Sequence, residues 1–202
     1  SFSISNVLIQ SSINSFGAVA MAGNTAGANI EGFVSMGMDS FSQAALSFTG
    51  QNLGANKPKR VNRVLVLCLL MASATGLVLG LTANLFGPRL LGINSSDPAV
   101  IEYGLIRLRI TCMFQFIGGL MGTMVGVLRG LGASLIPMVI TISFVCGFRV
   151  VWIFTVFAAA PTLQNLYVSY PVTWGLAALF DFICFFFVKR NIEKKRSAAQ
   201  ST

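Results

Sequence analysis

The sequence predicts an all-α fold, a polytopic membrane protein built as a six-helix transmembrane bundle. Of the 202 residues, 54% are hydrophobic and only 10% are charged, whereas roughly a quarter of the residues in a soluble domain are charged. The hydrophobic residues are also gathered into six segments, separated by short stretches rich in Gly, Pro, Asn and Ser, which favours helices joined by turns. A disordered chain, which needs low hydrophobicity, is excluded.

The first two segments are shorter or more polar than a typical span. Residues 2–16 are too few to cross the hydrocarbon core, which needs about 20 residues, and residues 19–49 include Glu31 and Asp39. A soluble helical hairpin would leave several apolar residues without charged surface around them: Ile30, Phe33, Val34, Met36 and Met38. We therefore interpret both segments as transmembrane, the first truncated at its start, and expect the chain to be part of a longer protein.

The other four segments are each long and apolar enough to span a membrane. They comprise residues 61–86, 100–128, 135–160 and 166–188. The stretches GPRLLGINSSDP, RGLGAS and PTLQN separate them, and their Gly, Pro, Asn and Ser residues predict turns.

The positive charges predict the orientation of the bundle. Only Arg89 lies in the connections on one side. Ten of the 14 Lys and Arg residues lie in the connections and tail of the other side: Lys57, Lys59, Arg60, Arg63, Arg129, Lys189, Arg190, Lys194, Lys195 and Arg196. The positive-inside rule makes this side cytoplasmic. We expect a transmembrane lobe over residues 1–188 and a basic cytoplasmic tail over residues 189–202, with a lipid bilayer and not nucleic acid as the partner.

Histidine and cysteine usage argues against enzyme chemistry. The chain has no His, and its four Cys residues lie singly on four different apolar segments. Catalytic dyads with His, zinc sites and a disulfide framework are therefore not expected. We predict that the protein is not an enzyme and has neither a cofactor nor a resident metal.

The second segment carries the most informative polar residues. Counting 1.5 Å per residue from residue 20 places Glu31 about 16 Å deep, close to the bilayer midplane. Glu31, Ser35 and Asp39 recur every fourth residue and share one helical face. Ionisable side chains in spans usually face a bundle interior or a water-filled cavity. We predict that Glu31 loads and releases a proton; the alternative is a structural ion pair with an Arg.

Amide side chains form a second polar feature. Asn6, Gln10 and Asn14 make one stripe on the first segment, and Gln115 lies within the fourth. Such amides can bind a substrate, an ion or water, and the alternative is hydrogen bonding between helices. The fourth segment also has a glycine at every fourth residue, which predicts close helix packing: Gly118, Gly122 and Gly126.

Three arginines and one aspartate also lie within segments. Arg149 is about 21 Å from the cytoplasmic end of the fifth segment and needs a partner. We expect a structural ion pair there, with a role in the electrostatics of a cavity as the alternative. Arg107 and Arg109 are expected to reach the lipid headgroups, and Asp181 to reach toward headgroups or an Arg.

Three motifs carry a resemblance to a known family. SFTGQNLGANKPKRVNR, at residues 47–63, is similar to the loop between the eighth and ninth helices of the multidrug and toxic compound extrusion (MATE) family of transporters. VGVLRGLGASLIPM, at residues 125–138, resembles the segment after the tenth helix, and FSISNVLIQSSINSFG with NIEGF downstream resembles a bacterial branch. The three motifs occur in order and at compatible spacings along essentially the whole chain.

The resemblance implies a twelve-helix transporter of two six-helix lobes, with this chain similar to the C-terminal lobe, helices seven to twelve. It implies a bacterial inner-membrane protein whose partner is the N-terminal lobe of the same polypeptide. The implied function is secondary active antiport, which exports organic cations or drugs in exchange for protons or sodium ions. The alternative is a flippase for lipid-linked oligosaccharides from the same wider superfamily, which would need a cavity rich in Arg and Lys.

The resemblance and the polar faces together suggest site residues. Glu31 matches a mid-membrane polar position of the eighth helix in some members of the family. With the face that it shares with Asp39, this predicts ion coupling at Glu31 and Asp39, with sodium near Glu31 as the alternative to a proton. We expect Glu31 to point toward the amide stripe of the first segment. The expected substrate and cavity residues are Asn6, Gln10, Asn14, Ser35, Gln115 and Arg149.

Overall fold

The computed structural model describes the backbone of residues 2–200 and the side chains of residues 7–195, 197 and 198. Every regular element in this part of the chain is helical, which confirms the predicted all-α fold. The α-helices are α1 (Phe2–Asn14), α2 (Ala18–Gly54), α3 (Pro58–Leu85), α4 (Gly87–Asn94), α5 (Pro98–Thr111), α6 (Gln115–Gly130), α7 (Leu135–Thr141), α8 (Arg149–Trp152) and α9 (Leu163–Gln200). Two π-helical segments, π1 (Ile142–Phe148) and π2 (Ile153–Phe157), flank α8.

Several helices match the expected membrane spans. Among the described residues, three helical segments are long and apolar enough to cross a membrane: α3, the helix of residues 135–157, and α9 as far as Lys195. α5 and α6 pass the same test together, but they are bent by 49° at the break between them. Length and composition thus support four of the six expected spans. The spans expected at α1, with 13 residues, and α2, with 37, remain predictions.

The fourth expected span is broken, so the prediction of one continuous helix is wrong there. Packing explains the break: Gly80 on α3 lies so close to it that a Cβ atom would collide with the carbonyl oxygen of Cys112. The side chain of Asn84 donates from Nδ2 to the carbonyl oxygen of Leu108 at 3.2 Å. As a consequence Gln115 begins a new helix inside the bundle, where it is 5% exposed.

The turn expected after α3 is also wrong over residues 87–94, which form the short helix α4. Pro88 lies in its first turn, where a missing backbone N–H costs no hydrogen bond. The next helix begins in a similar way: Pro98 opens α5, and the carboxylate of Asp97 accepts a hydrogen bond from the N–H of Ala99 at 2.9 Å. That is the geometry of a favourable N-cap.

The loops after α2 and α6 close in the same way. After α2, the N–H of Lys57 donates to the carbonyl oxygen of Asn52 at 2.8 Å, and Asn56 adopts a left-handed conformation with φ 56°. After α6, Gly132 has φ 85°, and the N–H of Ala133 donates to the carbonyl oxygen of Leu128 at 2.9 Å. Both are Schellman-type helix ends, which reverse the chain tightly.

The glycine row of α6 lets α2 approach closely at the centre of the bundle. A Cβ atom at Gly126 would collide with the carbonyl oxygen of Ser42 on α2. The Ser42 hydroxyl donates to the carbonyl oxygen of Gly122 at 2.7 Å. Gly118 faces Trp174 on α9 instead, where a Cβ atom would lie 3.5 Å from the indole ring. The predicted close packing is confirmed, with α2 and α9 as the partner helices.

The basic segments come together at one end of the bundle, as the charge count predicts. Lys189 donates from Nζ to Oδ1 of Asn62 at 2.8 Å, which joins the C-terminal cluster to the start of α3. Leu131, just after Arg129, packs in the same apolar cluster as Val61.

Candidate functional site

α2 and α5 meet at a buried ion pair. Arg107 on α5 contacts one carboxylate oxygen of Glu31 on α2, with Nη2 at 2.7 Å and Nε at 2.9 Å from Oε2. The two residues are 7% and 8% exposed. The expectation that Arg107 reaches the headgroups is wrong, because its guanidinium points into the bundle and a carboxylate compensates its charge there.

Small residues of α2 make room for this pair. Gly23 and Gly27 precede Glu31 at intervals of four residues and therefore lie on the same face. A Cβ atom at Gly27 would lie 3.1 Å from Cδ of Arg107, and one at Gly23 would lie 2.6 Å from Cβ of Tyr103. A larger residue at either position would push α5 away from α2.

Other polar and aromatic groups also contact the guanidinium of Arg107. Nη1 of Arg107 donates to Oδ1 of Asn24 at 2.6 Å, and the hydroxyl of Tyr167 donates to the same oxygen at 3.1 Å. The guanidinium carbon also lies 5.5 Å from the ring centre of Tyr167 and 5.4 Å from that of Tyr170. A carboxylate, an amide oxygen and two aromatic faces therefore stabilise one buried positive charge.

Arg149 on α8 also contacts the ring of Tyr170. Its guanidinium carbon lies 4.0 Å from the ring centre of Tyr170, and its Nε donates to the hydroxyl oxygen of Thr173 at 3.3 Å. Arg149 is 4% exposed, and within the described part of the chain it forms no ion pair with a carboxylate. The expected structural ion pair is therefore wrong, and Arg149 joins the network of Glu31 through Tyr170.

A cavity of about 230 Å³ opens beside Glu31. Gln115 donates from Nε2 to the hydroxyl oxygen of Ser35 at 2.7 Å, and this hydroxyl donates to the backbone carbonyl of Glu31 at 3.0 Å. The remaining oxygen of Gln115, Oε1, is buried without a hydrogen-bond partner among the described residues. The cavity is lined by Glu31, Ser35, Met38, Asp39, Gln115, Gly118, Gly119, Met121, Gly122 and Trp174.

This cavity combines groups that can bind a small cation. It offers two carboxylates, a hydroxyl and an unpaired amide oxygen, which are ligands of hard cations such as sodium. The described residues contain no group of three or more His, Cys, Asp and Glu side chains that could hold a metal ion. A sodium ion near Glu31 stays a prediction.

The structure brings together four of the predicted site residues. Glu31, Ser35, Asp39 and Gln115 line one cavity, although Asp39 is exposed and lies at its edge. Arg149 is connected to them through Tyr170.

The amide stripe of α1 does not reach this cavity. Gln10 and Asn14 are both exposed, and Nε2 of Gln10 donates to Oδ1 of Asn14 at 3.0 Å. The side chain of Asn6 lies outside the described residues. The expectation that Glu31 points to the stripe is wrong for Gln10 and Asn14, because its carboxylate is bound to Arg107.

Sequence reasoning missed Arg107 and the two tyrosines as members of the site. A depth count contains part of the signal, because Arg107 lies nine residues after Pro98, about 14 Å into its helix. At that depth, the side chain of an arginine does not easily reach the headgroups. The tyrosines gave no comparable signal, because aromatic residues occur throughout any membrane bundle.

A larger cavity, of about 800 Å³, lies on the other side of α2. It is mainly apolar, with Phe33, Met36 and Leu79 among its lining residues, and none of the residues lining it is ionisable. We place the candidate site in the smaller cavity, because the charged groups and the unpaired amide oxygen are there.

Comparison with known families and proteins adds to this geometry. A family model described as MatE matches residues 1–155. The "Probable multidrug resistance protein NorM" of Thermotoga maritima is 33% identical over 125 residues, which are 62% of this chain and 27% of that protein. The chain therefore spans about a quarter of the length of this curated relative.

Solved structures share the fold. The Vibrio cholerae MATE transporter VcmN in its bent form superposes with a TM-score of 0.83 at 18% identity, over 94% of this chain and 43% of that one. The MATE transporter ClbM in complex with Rb+ gives 0.83 at 17% identity, over 94% and 46%. A MATE protein in complex with MaL6 gives 0.84 at 16% identity, over 95% and 44%. In each case this chain corresponds to less than half of the solved protein.

Proposed function

Because this chain belongs to the MatE family of multidrug efflux transporters, we propose that it forms one lobe of a secondary active antiporter, which exports organic cations or drugs in exchange for protons or sodium ions. In this proposal residues 1–188 are the membrane lobe and residues 189–202 a basic cytoplasmic tail. The other lobe is the N-terminal half of the same polypeptide, in a bacterial inner membrane. No cofactor takes part.

The observation that carries the proposal is that Glu31 is paired with Arg107 and also lines a cavity. One of its carboxylate oxygens binds Arg107, and the same residue lines a cavity that could admit a cation. A proton or a sodium ion that binds this carboxylate weakens its attraction for Arg107. An organic cation in the cavity competes for the same negative charge. Because the coupling ion and the organic cation bind the same carboxylate, they cannot occupy it together. Such mutually exclusive binding is the requirement of antiport.

Coupling also needs two states that treat the carboxylate differently. Loading Glu31 favours one access state over the other only if the ion binds the two states with different affinity. Arg107 provides such a difference, because it lies on α5 just before the bend at α6. Movement at this bend changes the distance between the guanidinium and Glu31. Binding sites formed by broken helices are common in secondary transporters.

The volume of the cavity beside Glu31 indicates that it is only part of a substrate site. A volume of about 230 Å³ is below the roughly 300–1,000 Å³ of sites for drug-sized ligands. We propose that the second lobe completes the substrate site, with Gln10 and Asn14 of α1 facing it. Trp174, Met38 and Met121 suit the organic part of a cation, through cation–π attraction and dispersion.

The flippase alternative fits these contacts less well. A diphosphate headgroup would need free guanidinium groups, but Arg107 is bound to Glu31 and Asn24, while Arg149 donates to Thr173. Both would have to be released to bind an anion. Transfer of a lipid-linked diphosphate across vesicles by the full-length protein, without transport of any cation, would favour the flippase.

The proposal is tested with Glu31→Gln in the full-length polypeptide that contains this chain, reconstituted into vesicles. Efflux of ethidium is measured together with the internal pH, under imposed proton or sodium gradients. The loss of the charge should remove a coupling free energy of about 1–3 kcal/mol, a fall of roughly 5- to 150-fold in gradient-driven efflux. Asp39→Asn should cause a smaller loss, because Asp39 lies at the edge of the cavity.

Glu102→Gln is the matched control, because it makes the same change on α5 at an exposed carboxylate. It should leave efflux unchanged. Amounts of purified, membrane-inserted protein should be equal for all variants. If Glu31→Gln exports ethidium with an unchanged dependence on pH and sodium, Glu31 is not the coupling group.

A further inference from the structure

Asp181 on α9 is a buried carboxyl group that the proposed exchange at Glu31 does not use. It is 0% exposed, and neither of its carboxylate oxygens has a hydrogen-bond partner among the described residues. The sequence suggested contact with headgroups or an Arg, and the structure contradicts both. An aspartate this deeply buried is rare unless it is paired or functional.

The surroundings of Asp181 are apolar along its own helix. One turn before it, Ala177 packs with Val145 and Trp174. One turn after it, Phe185 packs in a second apolar cluster with Leu128 of α6. Asp181 therefore lies between two apolar clusters on the inner face of α9.

A second unpaired polar atom lies at the same level on α6. Gly118 lies beside Trp174, and Phe185 packs with Met124 farther along, so α6 and α9 run in the same direction. Thr123 lies between these contacts along α6, and thus at about the same height in the bundle as Asp181. Thr123 is 0% exposed, and its hydroxyl has no partner among the described residues.

Among the described residues, no charged side chain lies close enough to compensate an ionised Asp181. It belongs to neither of the ion pairs of the described residues. Arg107 and Arg149 contact Tyr170, which lies 11 residues before it, about 16 Å along the helix. The other ionisable groups on the elements that pack against α9 are Glu102, Tyr103 and Arg109 of α5, Arg129 of α6 and Cys146 of π1. On α9 itself, Cys184 and Lys189 are nearest to Asp181. Glu102, Arg109 and Arg129 are exposed.

The wall beside Asp181 is an unusual stretch of backbone. π1 packs against α9, and the ring of Phe144 lies 4.6 Å from that of Phe180, the residue next to Asp181. π-helical turns are rare and often mark functional sites. The basic end of the bundle is not far from this wall, because Lys189 lies eight residues after Asp181, about 12 Å along α9.

We propose that Asp181 is a second proton-binding carboxyl group of this lobe, protonated in the closed arrangement described here. An isolated carboxylate in apolar surroundings is strongly disfavoured relative to its neutral form. When π1 rearranges and water enters, the O–H bond of the acid breaks, the proton passes to water, and the carboxylate remains; closure requires the reverse. Proton binding itself is independent of the proposed antiport, and only its link to transport rests on that function.

Infrared difference spectroscopy of the full-length protein in lipid tests this, through the carbonyl band of protonated carboxylic acids. Spectra of the native protein, Asp181→Asn and Glu31→Gln are compared from acidic to alkaline buffer, in H₂O and in D₂O. We expect one band that is missing in Asp181→Asn, is kept in Glu31→Gln, disappears as the pH rises, and shifts in D₂O. Asp181→Glu should move this band, which preserves the assignment if the Asn variant folds poorly.

Two results would overturn the proposal. The first is that no acid band depends on Asp181, which would mean that its carboxylate is ionised. The second is a band that persists at all pH values and does not exchange in D₂O, which would mean a permanently neutral structural group. Both are distinct from failure of the proposed antiport, which is decided by ethidium efflux of Glu31→Gln.

Discussion

Glu31 and Asp181 are both buried carboxyl groups, but their surroundings differ in almost every respect. Glu31 accepts a hydrogen bond from Nε of Arg107 and forms an ion pair with its Nη2, and the same guanidinium donates to Asn24. Asp181 receives no hydrogen bond from the part of the chain that the structure describes, and apolar clusters lie on either side of it. The first region stabilises a charge, whereas the second disfavours one.

The comparison shows that burial alone does not define the state of a membrane carboxylate. The polar network around Glu31 joins side chains of α2, α5 and α9, so a change at one of them alters the others. The region around Asp181 depends on packing, and its carboxyl group makes no hydrogen bond with the described residues. Removing a partner should therefore be costly in the first region, whereas removing the carboxylate should be tolerated in the second.

The largest effect is expected from Arg107→Met, which leaves Glu31 buried without a countercharge. Breaking a buried ion pair from one side typically costs about 3–5 kcal/mol. We expect the free energy of unfolding in detergent, measured by denaturant titration, to fall by about that amount. The buried thiols of Cys68, Cys112 and Cys146 provide the readout, because a thiol-reactive dye labels them only after unfolding.

The double variant Glu31→Met with Arg107→Met is the control for this prediction. Replacing both charges with apolar side chains of similar volume is often neutral or stabilising, so most of the lost stability should return. If the double variant were as unstable as Arg107→Met, packing of the arginine stem and not the ion pair would hold α2 against α5.

Asp181→Leu tests the region of the unpaired carboxyl group. Leucine has the same branching as aspartate and removes two polar atoms that have no partner. The unfolding free energy should rise by about 1–3 kcal/mol, the usual cost of a buried polar group without a hydrogen bond. The same denaturant titration measures it, with Glu31→Leu as the matched change in the paired region, where stability should fall. Lower stability of Asp181→Leu would show that the aspartate has a partner.

The sequence predicted the parts of the fold that depend on composition. Long apolar runs identified α3 and α9, and the glycine row of α6 predicted its close packing. The break before Gln115 could not be predicted, because it depends on the approach of Gly80 to the backbone of Cys112, which are far apart in sequence. For α4, the Gly, Pro, Asn and Ser residues were interpreted as a turn, although Pro88 suits the first turn of a helix equally well.

The same division holds for the candidate site. Spacing along α2 correctly placed Glu31, Ser35 and Asp39 on one cavity-facing side. The partner of Glu31 was missed because an arginine in a span is compatible both with reaching the headgroups and with a buried ion pair. Only the packing of Gly27 against Arg107 decides between these, and helical periodicity does not contain that information.

The smallest effect is expected from Tyr167→Phe, which tests how far the network of Glu31 extends. The Tyr167 hydroxyl donates to Oδ1 of Asn24, and this oxygen keeps its shorter bond from Arg107 at 2.6 Å when the hydroxyl is removed. No buried group is left without a partner, so the loss should be that of one hydrogen bond, about 1 kcal/mol. Tyr170→Phe is the matched control: its ring lies equally close to Arg107 at 5.4 Å, and the aromatic face that contacts the guanidinium remains. Denaturant titration should therefore separate the two variants, with the lower stability in Tyr167→Phe. Equal values would mean that the rings, and not the hydrogen bond to Asn24, connect α9 to the ion pair.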